Sequence, residues 1–129
     1  MSYLDRCNIA ILKEKTITEI TGDAGSAELH FHCSDGTHYK MYHQQGCCES
    51  VYIEDIVGDL DDLLGSPIVG AYESSNSDNP KEGDDNNYDG SHTWTFYTIQ
   101  SGKGAVTIRW YGSSNGYYSE SADFGEVKA

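Results

Sequence analysis

The chain has 129 residues and a formal net charge of −13, from 21 acidic and 8 basic residues. A field of this sign repels phosphate backbones and anionic membranes, so the composition argues against direct binding to nucleic acid or to a membrane. It favours fast capture by a basic protein surface, although a high charge also serves solubility alone. The length is that of one domain, and we expect residues 1–129 to form a single domain.

The N-terminal residues lack the charged region and the apolar stretch of a secretory signal peptide. No apolar run approaches the roughly 20 residues that cross a bilayer. We therefore expect a cytoplasmic protein with its four cysteines reduced. Fourteen glycines and only two prolines predict many tight turns, as in a β-rich fold.

Most segments alternate between apolar and polar residues, which is the period of a half-buried strand. Residues 4–15 fit either a short helix or an irregular lead-in. Residues 59–64 predict one short helix, with Asp59 as N-cap and Gly65 just past its end. The predicted fold is α+β and β-rich, with a single twisted antiparallel sheet and this one helix. Strands are expected at residues 16–21, 28–33, 38–43, 50–57, 68–72, 92–100, 105–111 and 117–124.

An Asp-Gly pair, Asp35-Gly36, predicts a two-residue hairpin turn. The resulting register places His30, His32 and His43 on one face, together with Glu28. Several zinc sites are assembled from histidines at alternate positions of a strand that face a third histidine across the ladder, so zinc is a candidate cofactor at these three residues. The alternative is a solvated face without a metal, and a bulge in the turn would change the register.

A histidine and two cysteines are close together in the sequence, at His43, Cys47 and Cys48. They allow the alternative of a metal- or thiol-dependent enzyme. Neighbouring cysteine side chains diverge on a strand, however, and cysteine is among the most commonly buried residues. No catalytic signature is present, and we expect a non-enzymatic protein without a required cofactor.

Residues 73–91 contain six acids, one lysine and almost no apolar residue. Such a segment cannot bury a core, so it predicts an acidic loop that is mobile in the free protein. Three of its acids, Asp84, Asp85 and Asp89, are candidates for contact with a basic partner.

Aromatic residues concentrate around the Asn-Gly turn signal at Asn115. Alternation directs one set inward as core, predicted as Trp94, Phe96, Ile108 and Trp110. The opposite set would form a polar-aromatic binding surface able to stack a base or dock a peptide, although sheet packing alone would also explain it. Its predicted members are Tyr97, Arg109, Tyr111, Asn115, Tyr117 and Tyr118.

Three blocks, at residues 43–68, 93–97 and 106–120, carry a resemblance to a known family. They resemble a family of small proteins from tailed bacteriophages and prophages, described only as a domain of unknown function. The resemblance covers about residues 28–124 and brings no catalytic residues with it. It implies a phage-encoded accessory protein of the host cytoplasm, and small phage proteins of this kind often neutralise a host factor.

Charge and resemblance together predict a binding protein that inhibits or sequesters a component of host defence. Its expected partner is a host protein with a basic surface. A second mechanism is a sponge that holds a small nucleotide signal on the aromatic residues. The sequence leaves the partner and the oligomeric state open.

Overall fold

The structure is a computed structural model that describes residues 3–43, 49–78, 91–114 and 121–128. Alternating segments of the chain form antiparallel strands, and two single turns of 3₁₀ helix, η1 and η2, lie between them. The elements in chain order are β1 Tyr3–Arg6, η1 Ile9–Leu12, β2 Ile17–Thr21, β3 Leu29–Cys33, β4 His38–Tyr42, β5 Ser50–Val57, η2 Leu60–Leu63, β6 Ile68–Asp78, β7 Ser91–Ser101, β8 Gly104–Ser114 and β9 Asp123–Lys128.

The strands of the described residues make two sheets. The first has five strands in the order β1-β9-β4-β3-β2, and the second has four in the order β5-β8-β7-β6. β9 comes last in the chain but lies between β1 and β4, pairing with both. The β-rich prediction is confirmed, whereas the prediction of a single sheet is wrong.

The inner faces of the two sheets share one hydrophobic core. Side chains with little or no exposure come from both sheets and from η1 and η2, because alternate residues of each strand point to the same side. The rings of Tyr97 on β7 and Phe124 on β9 lie 6.4 Å apart and join the sheets across this core. The two layers therefore leave two outer faces, one on each sheet.

The predicted helix at 59–64 is a single 3₁₀ turn. Asp59 caps it as expected, accepting a hydrogen bond from the backbone N–H of Asp61 at 3.0 Å. Leu64 already has extended backbone angles, and it bridges to Ile17 of the other sheet. Tertiary pairing thus ends the helix after one turn, since a short helix gains little from its own hydrogen bonds.

Part of the predicted loop at 73–91 is strand instead. Residues 73–78 continue β6, and Ser91 begins β7, so that Glu73 pairs with Tyr97 and Asp78 with His92. Polar side chains are compatible with this edge strand because its pairing uses the backbone. Asp84, Asp85 and Asp89 lie outside the described residues, and so does the rest of the predicted loop, 79–90.

The described part of the last predicted strand, 117–124, differs in its bounds. A strand runs over Asp123–Lys128, and residues 117–120 lie outside the described residues. Strict alternation from Val51 and Ile53 would also turn Val57 inward, but Val57 is 57% exposed. The register of β5 shifts between Ile53 and Asp55, and a bulge of this kind turns the following side chains to the opposite face.

Candidate functional site

The outer face of the four-stranded sheet is rich in aromatic side chains. Alternation along β8 sends Arg109 and Tyr111 outward, because Ile108 and Trp110 point into the core. Trp94 lies opposite Tyr111 on β7, and Phe96 lies opposite Arg109. We call this surface the aromatic face, formed by Tyr52, His92, Trp94, Phe96, Arg109 and Tyr111.

Tyr111 is the centre of the aromatic face. Its ring centroid lies 5.4 Å from that of Trp94 and 5.7 Å from that of His92, with the His92 ring stacked on it. Tyr52 approaches it edge-on at 5.8 Å. Its hydroxyl is hydrogen-bonded to Nδ1 of His92 at 2.5 Å. These contacts hold the rings in place before any partner binds, which lowers the entropy lost on binding.

The aromatic face also carries charged groups, the guanidinium of Arg109 and the carboxylates of Glu54 and Asp55. Arg109 donates from Nε to Oε1 of Glu54 at 2.8 Å, and its Nη2 lies 3.8 Å from Oδ2 of Asp55. The indole N–H of Trp94 donates to the same Glu54 oxygen at 3.2 Å. The positive charge of Arg109 is therefore offset by two carboxylates, which leaves the local charge negative.

Sequence reasoning placed two residues of this face correctly, namely Arg109 and Tyr111. Trp94 and Phe96 were expected in the core but lie on the outer face, half-buried. Tyr52 and His92 were not predicted, although the inward positions of Val51 and Ile53 would have placed Tyr52 on the outer side. Three predicted members lie outside the described residues, Asn115, Tyr117 and Tyr118.

The prediction that Tyr97 belongs to a binding surface is wrong. Tyr97 lies opposite Ile108 on the core side of the sheet, and its exposed fraction is 0%. Within the described residues its hydroxyl has no hydrogen-bond partner. Burial raises the pKa of this hydroxyl far above its ordinary value, and the carboxylates of Glu73 and Asp123 raise it further. Tyr97 is thus a neutral core residue.

Replacing Tyr97 by phenylalanine is expected to raise the free energy of unfolding by about 1 kcal/mol, because it removes a buried polar group without a partner. Urea denaturation of both proteins measures this change. Replacement by alanine sets the scale of the packing contribution, with an expected loss of about 3–5 kcal/mol. A loss of stability in the phenylalanine variant would show that the hydroxyl makes a hydrogen bond.

A second group of polar side chains is the buried pair formed by His43 and Glu49. Nε2 of His43 lies 2.6 Å from Oε2 of Glu49, and the side chains are 4% and 1% exposed. Nδ1 of His43 lies 3.0 Å from the carbonyl oxygen of Ser121, which only accepts, so this nitrogen carries a proton and donates. One further proton lies between His43 and Glu49. Whichever of the two holds it, their combined charge is zero.

The pair fixes His43 on both ring nitrogens and away from solvent. This arrangement joins the end of β4 to the residues that precede β5 and β9. It is typical of a structural hydrogen-bond network. Cys47 and Cys48, which the enzyme alternative requires, lie outside the described residues.

The sheet face predicted to carry His30, His32 and His43 carries His30, His32 and His38 instead. His32 pairs directly with His38, and His30 pairs with Lys40, on the outer face of the five-stranded sheet. His38 therefore takes the place predicted for His43, which is turned into the buried pair. The physical cause is the turn. Gly36 has a φ of 89°, and Cys33 faces Thr37 across a three-residue loop instead of Ser34 facing it across two residues.

Within this histidine cluster (His30, His32 and His38) the rings are in direct contact. Nδ1 of His30 lies 2.8 Å from Nε2 of His38, and the rings of His32 and His38 stack at 4.2 Å. The pKa of His38 is lowered by burial, and then by the neighbouring His32 and His30. In the part of the chain that the structure describes, no group of three or more His, Cys, Asp or Glu side chains has the geometry of a metal site.

The histidine cluster is anchored by Glu28. One carboxylate oxygen lies 2.9 Å from Nε2 of His30, and the other accepts from Nζ of Lys40 at 3.0 Å. Burial raises the pKa of Glu28, but the hydrogen bonds from Lys40 and His30 outweigh it, and the pKa lies below its ordinary value. Glu28 is therefore a carboxylate at neutral pH and accepts a hydrogen bond from both neighbours.

These features define a small two-sheet antiparallel β protein with an ordered aromatic surface. The chain belongs to the family described as domain of unknown function DUF7448, whose model matches residues 10–124. Neither the curated proteins nor the solved structures contain a match to the chain. Among the described residues, no helix has the length and apolar character needed to cross a membrane.

Proposed function

We propose that this is a non-enzymatic binding protein, encoded by a phage and acting in the host cytoplasm. It inhibits or sequesters a component of host defence by presenting an acidic and aromatic surface to a basic protein. The phage origin rests on the resemblance of residues 28–124. The basic partner rests on the charge of −13, which accelerates association with a positive surface and disfavours anionic ligands.

The observation that carries the proposal is the neutralised Arg109 on the aromatic face. Its guanidinium is bonded to Glu54 and lies close to Asp55, with Trp94 bonded to the same glutamate. Aromatic rings beside carboxylates suit lysine and arginine side chains, which gain both ion pairing and contact with the ring faces. Ordered rings on a rigid sheet also resemble the anchors of protein interfaces.

A second candidate is a sponge for a small nucleotide signal on the same face. The half-buried rings of Trp94 and Tyr111 favour it, because a base stacks on the faces of aromatic rings. The charge of the face opposes it, since Arg109 is already paired with carboxylates and a phosphate would meet a negative surface. The two candidates differ in the role of Arg109. With a basic partner it only pairs with the carboxylates of Glu54 and Asp55, whereas in a sponge it binds the anionic nucleotide.

The partner is sought by incubating the purified protein with host lysate and identifying the captured proteins by mass spectrometry. Native mass spectrometry of the protein itself tests for a retained nucleotide. Capture of a basic host protein at a stoichiometric ratio supports the proposal. A nucleotide retained by the protein, without such a partner, favours the sponge.

With the partner in hand, association is expected to be fast and to slow steeply with salt, because exposed charges are screened over about 8 Å at physiological ionic strength. Changing Asp84, Asp85 and Asp89 together to asparagine is expected to lower the association rate by roughly tenfold at low salt, with less effect on dissociation. Stopped-flow or surface-based kinetics at several salt concentrations measure both rates.

The matched control removes the same charge from residues distant in sequence, at the exposed Asp5, Glu14 and Glu19. If both triple variants slow association equally, the net charge acts as a whole and residues 79–90 have no special part. If neither variant alters the rate, the acidic contribution to binding is refuted.

A further inference from the structure

The histidine cluster on the five-stranded sheet has no part in the function proposed above. The donor and the acceptor of each of its hydrogen bonds can be assigned, starting from Glu28. Lys40 and His30 both donate to the Glu28 carboxylate. Because the carboxylate only accepts, Nε2 of His30 carries the proton of the neutral ring. The lone pair of His30 is then on Nδ1, which points at Nε2 of His38 at 2.8 Å.

A histidine whose one nitrogen donates to a carboxylate, and whose other nitrogen offers a lone pair, has the arrangement of most histidines that bind metals. The carboxylate fixes the tautomer and the ring orientation and makes the free nitrogen more basic. Glu28 does this for His30, and Lys40 in turn holds Glu28. The second ring, that of His38 on the next strand, presents Nε2 to this lone pair.

The spacing of the two nitrogens is close to that of two ligands on one ion. Two imidazole nitrogens bound to tetrahedral zinc at about 2.1 Å lie about 3.4 Å apart, so the rings need to separate by about 0.6 Å. Both are on an outer sheet face, where His30 is 28% exposed, and small rotations of the rings are sufficient. His38 moves its proton from Nε2 to Nδ1 when the ion takes its place, without a change in net charge.

We infer that His30, through Nδ1, and His38, through Nε2, bind one divalent transition-metal ion, with Glu28 orienting His30. His32 is stacked on His38 at 4.2 Å with its ring plane nearly parallel, so its nitrogens point beside the ion rather than at it. Two protein ligands leave the remaining positions to water or to a group from another molecule. Imidazole ligands select Zn²⁺, Ni²⁺ or Cu²⁺ over Mg²⁺ and Ca²⁺.

The test is calorimetric titration of Zn²⁺ into the tag-free full-length protein that carries Cys47→Ser and Cys48→Ser, which removes thiol binding by these two residues. One equivalent is expected to bind. His30→Ala and His38→Ala should each weaken binding at least tenfold, and Glu28→Gln should weaken it by roughly tenfold through the loss of orientation. Mg²⁺ under the same conditions should give no binding.

His92→Ala is the matched control, because His92 is a half-buried histidine on the other sheet. It should bind Zn²⁺ like the parent protein. The imidazole signals of the parent protein in NMR spectra give a readout that needs no variant, since Zn²⁺ should shift those of His30 and His38 and leave those of His92 in place. Failure to bind one equivalent, unchanged binding in His30→Ala and His38→Ala, or equal loss in His92→Ala overturns the inference.

Discussion

Replacing His43 by alanine is expected to lower the free energy of unfolding by about 3–5 kcal/mol, because it leaves the buried Glu49 without its histidine partner. The two side chains are 4% and 1% exposed, so the substitution acts in the interior of the protein and not at its surface. The carbonyl of Ser121 loses its donor at the same time. Since small domains are stable by about 5–15 kcal/mol, this loss is a large fraction of the total.

Urea denaturation at neutral pH measures the change, with two variants for comparison. Glu49→Gln keeps the shape and a hydrogen bond to His43 and is expected to cost about 1 kcal/mol. His92→Ala serves as the control, because it removes a histidine that is not part of the buried pair. A loss below about 1 kcal/mol in His43→Ala would mean that the pair contributes little net stability, as some buried ion pairs do.

Replacing Trp94 and Tyr111 together by alanine is expected to weaken binding of the basic partner by at least about 100-fold, since interface aromatics of this kind contribute about 2 kcal/mol or more each. The effect should appear mainly as faster dissociation, because these rings are short-range contacts and do not steer the approach. Binding kinetics with the captured partner separate the two rates.

Ile11→Ala provides the control for an exposed apolar side chain elsewhere, since Ile11 on η1 is 40% exposed. It should leave both rates unchanged. Arg109→Ala distinguishes the two proposed functions. For a basic partner it should preserve or strengthen binding, as it frees Glu54 and Asp55. If it abolishes activity instead, the arginine binds an anionic ligand and the nucleotide sponge is the better account.

Most strands could be predicted from the sequence because their alternation is regular. The bounds of β5 were predicted to the residue, and β2, β3 and β4 to within one residue. The division into two sheets could not be predicted, because alternation defines which face of a strand is apolar but not which strands pair. β9 shows this most clearly, since its neighbours β1 and β4 are both distant in sequence.

The sequence analysis did not place His38 in the histidine cluster, because the predicted register between β3 and β4 was wrong by one residue. An Asp-Gly pair fits a two-residue turn and also a three-residue turn with glycine in the left-handed region, and the two differ in the parity of every following residue. Asp35 stabilises the longer turn by accepting from the backbone N–H of Thr37 at 3.0 Å and from Nζ of Lys15 at 2.6 Å. The contribution of Lys15 comes from a distant part of the chain.

The aromatic face was missed in part because both sides of β7 are apolar. Trp94 and Phe96 alternate as well as Tyr97 and Ile99 do, so hydrophobicity alone does not say which pair is inward. The length of the turn between β7 and β8 determines which pair points inward. A two-residue turn at Gly102 places Tyr97 opposite Ile108, which shares the core side with Val106 and Trp110. This reasoning was open to sequence analysis, whereas the bulge that exposes Val57 was not.

The position of β9 between β1 and β4 has a consequence for the synthesis of the protein. The ribosome makes β4 about 80 residues before β9, a delay of roughly 4–16 s at ordinary elongation rates. Throughout that time β4 has an unpaired side, β1 has no neighbour, and Phe124 is missing from the core. The first sheet therefore assembles only after β9 has left the ribosome. A premature stop before residue 123 removes the strand that joins β1 to β4.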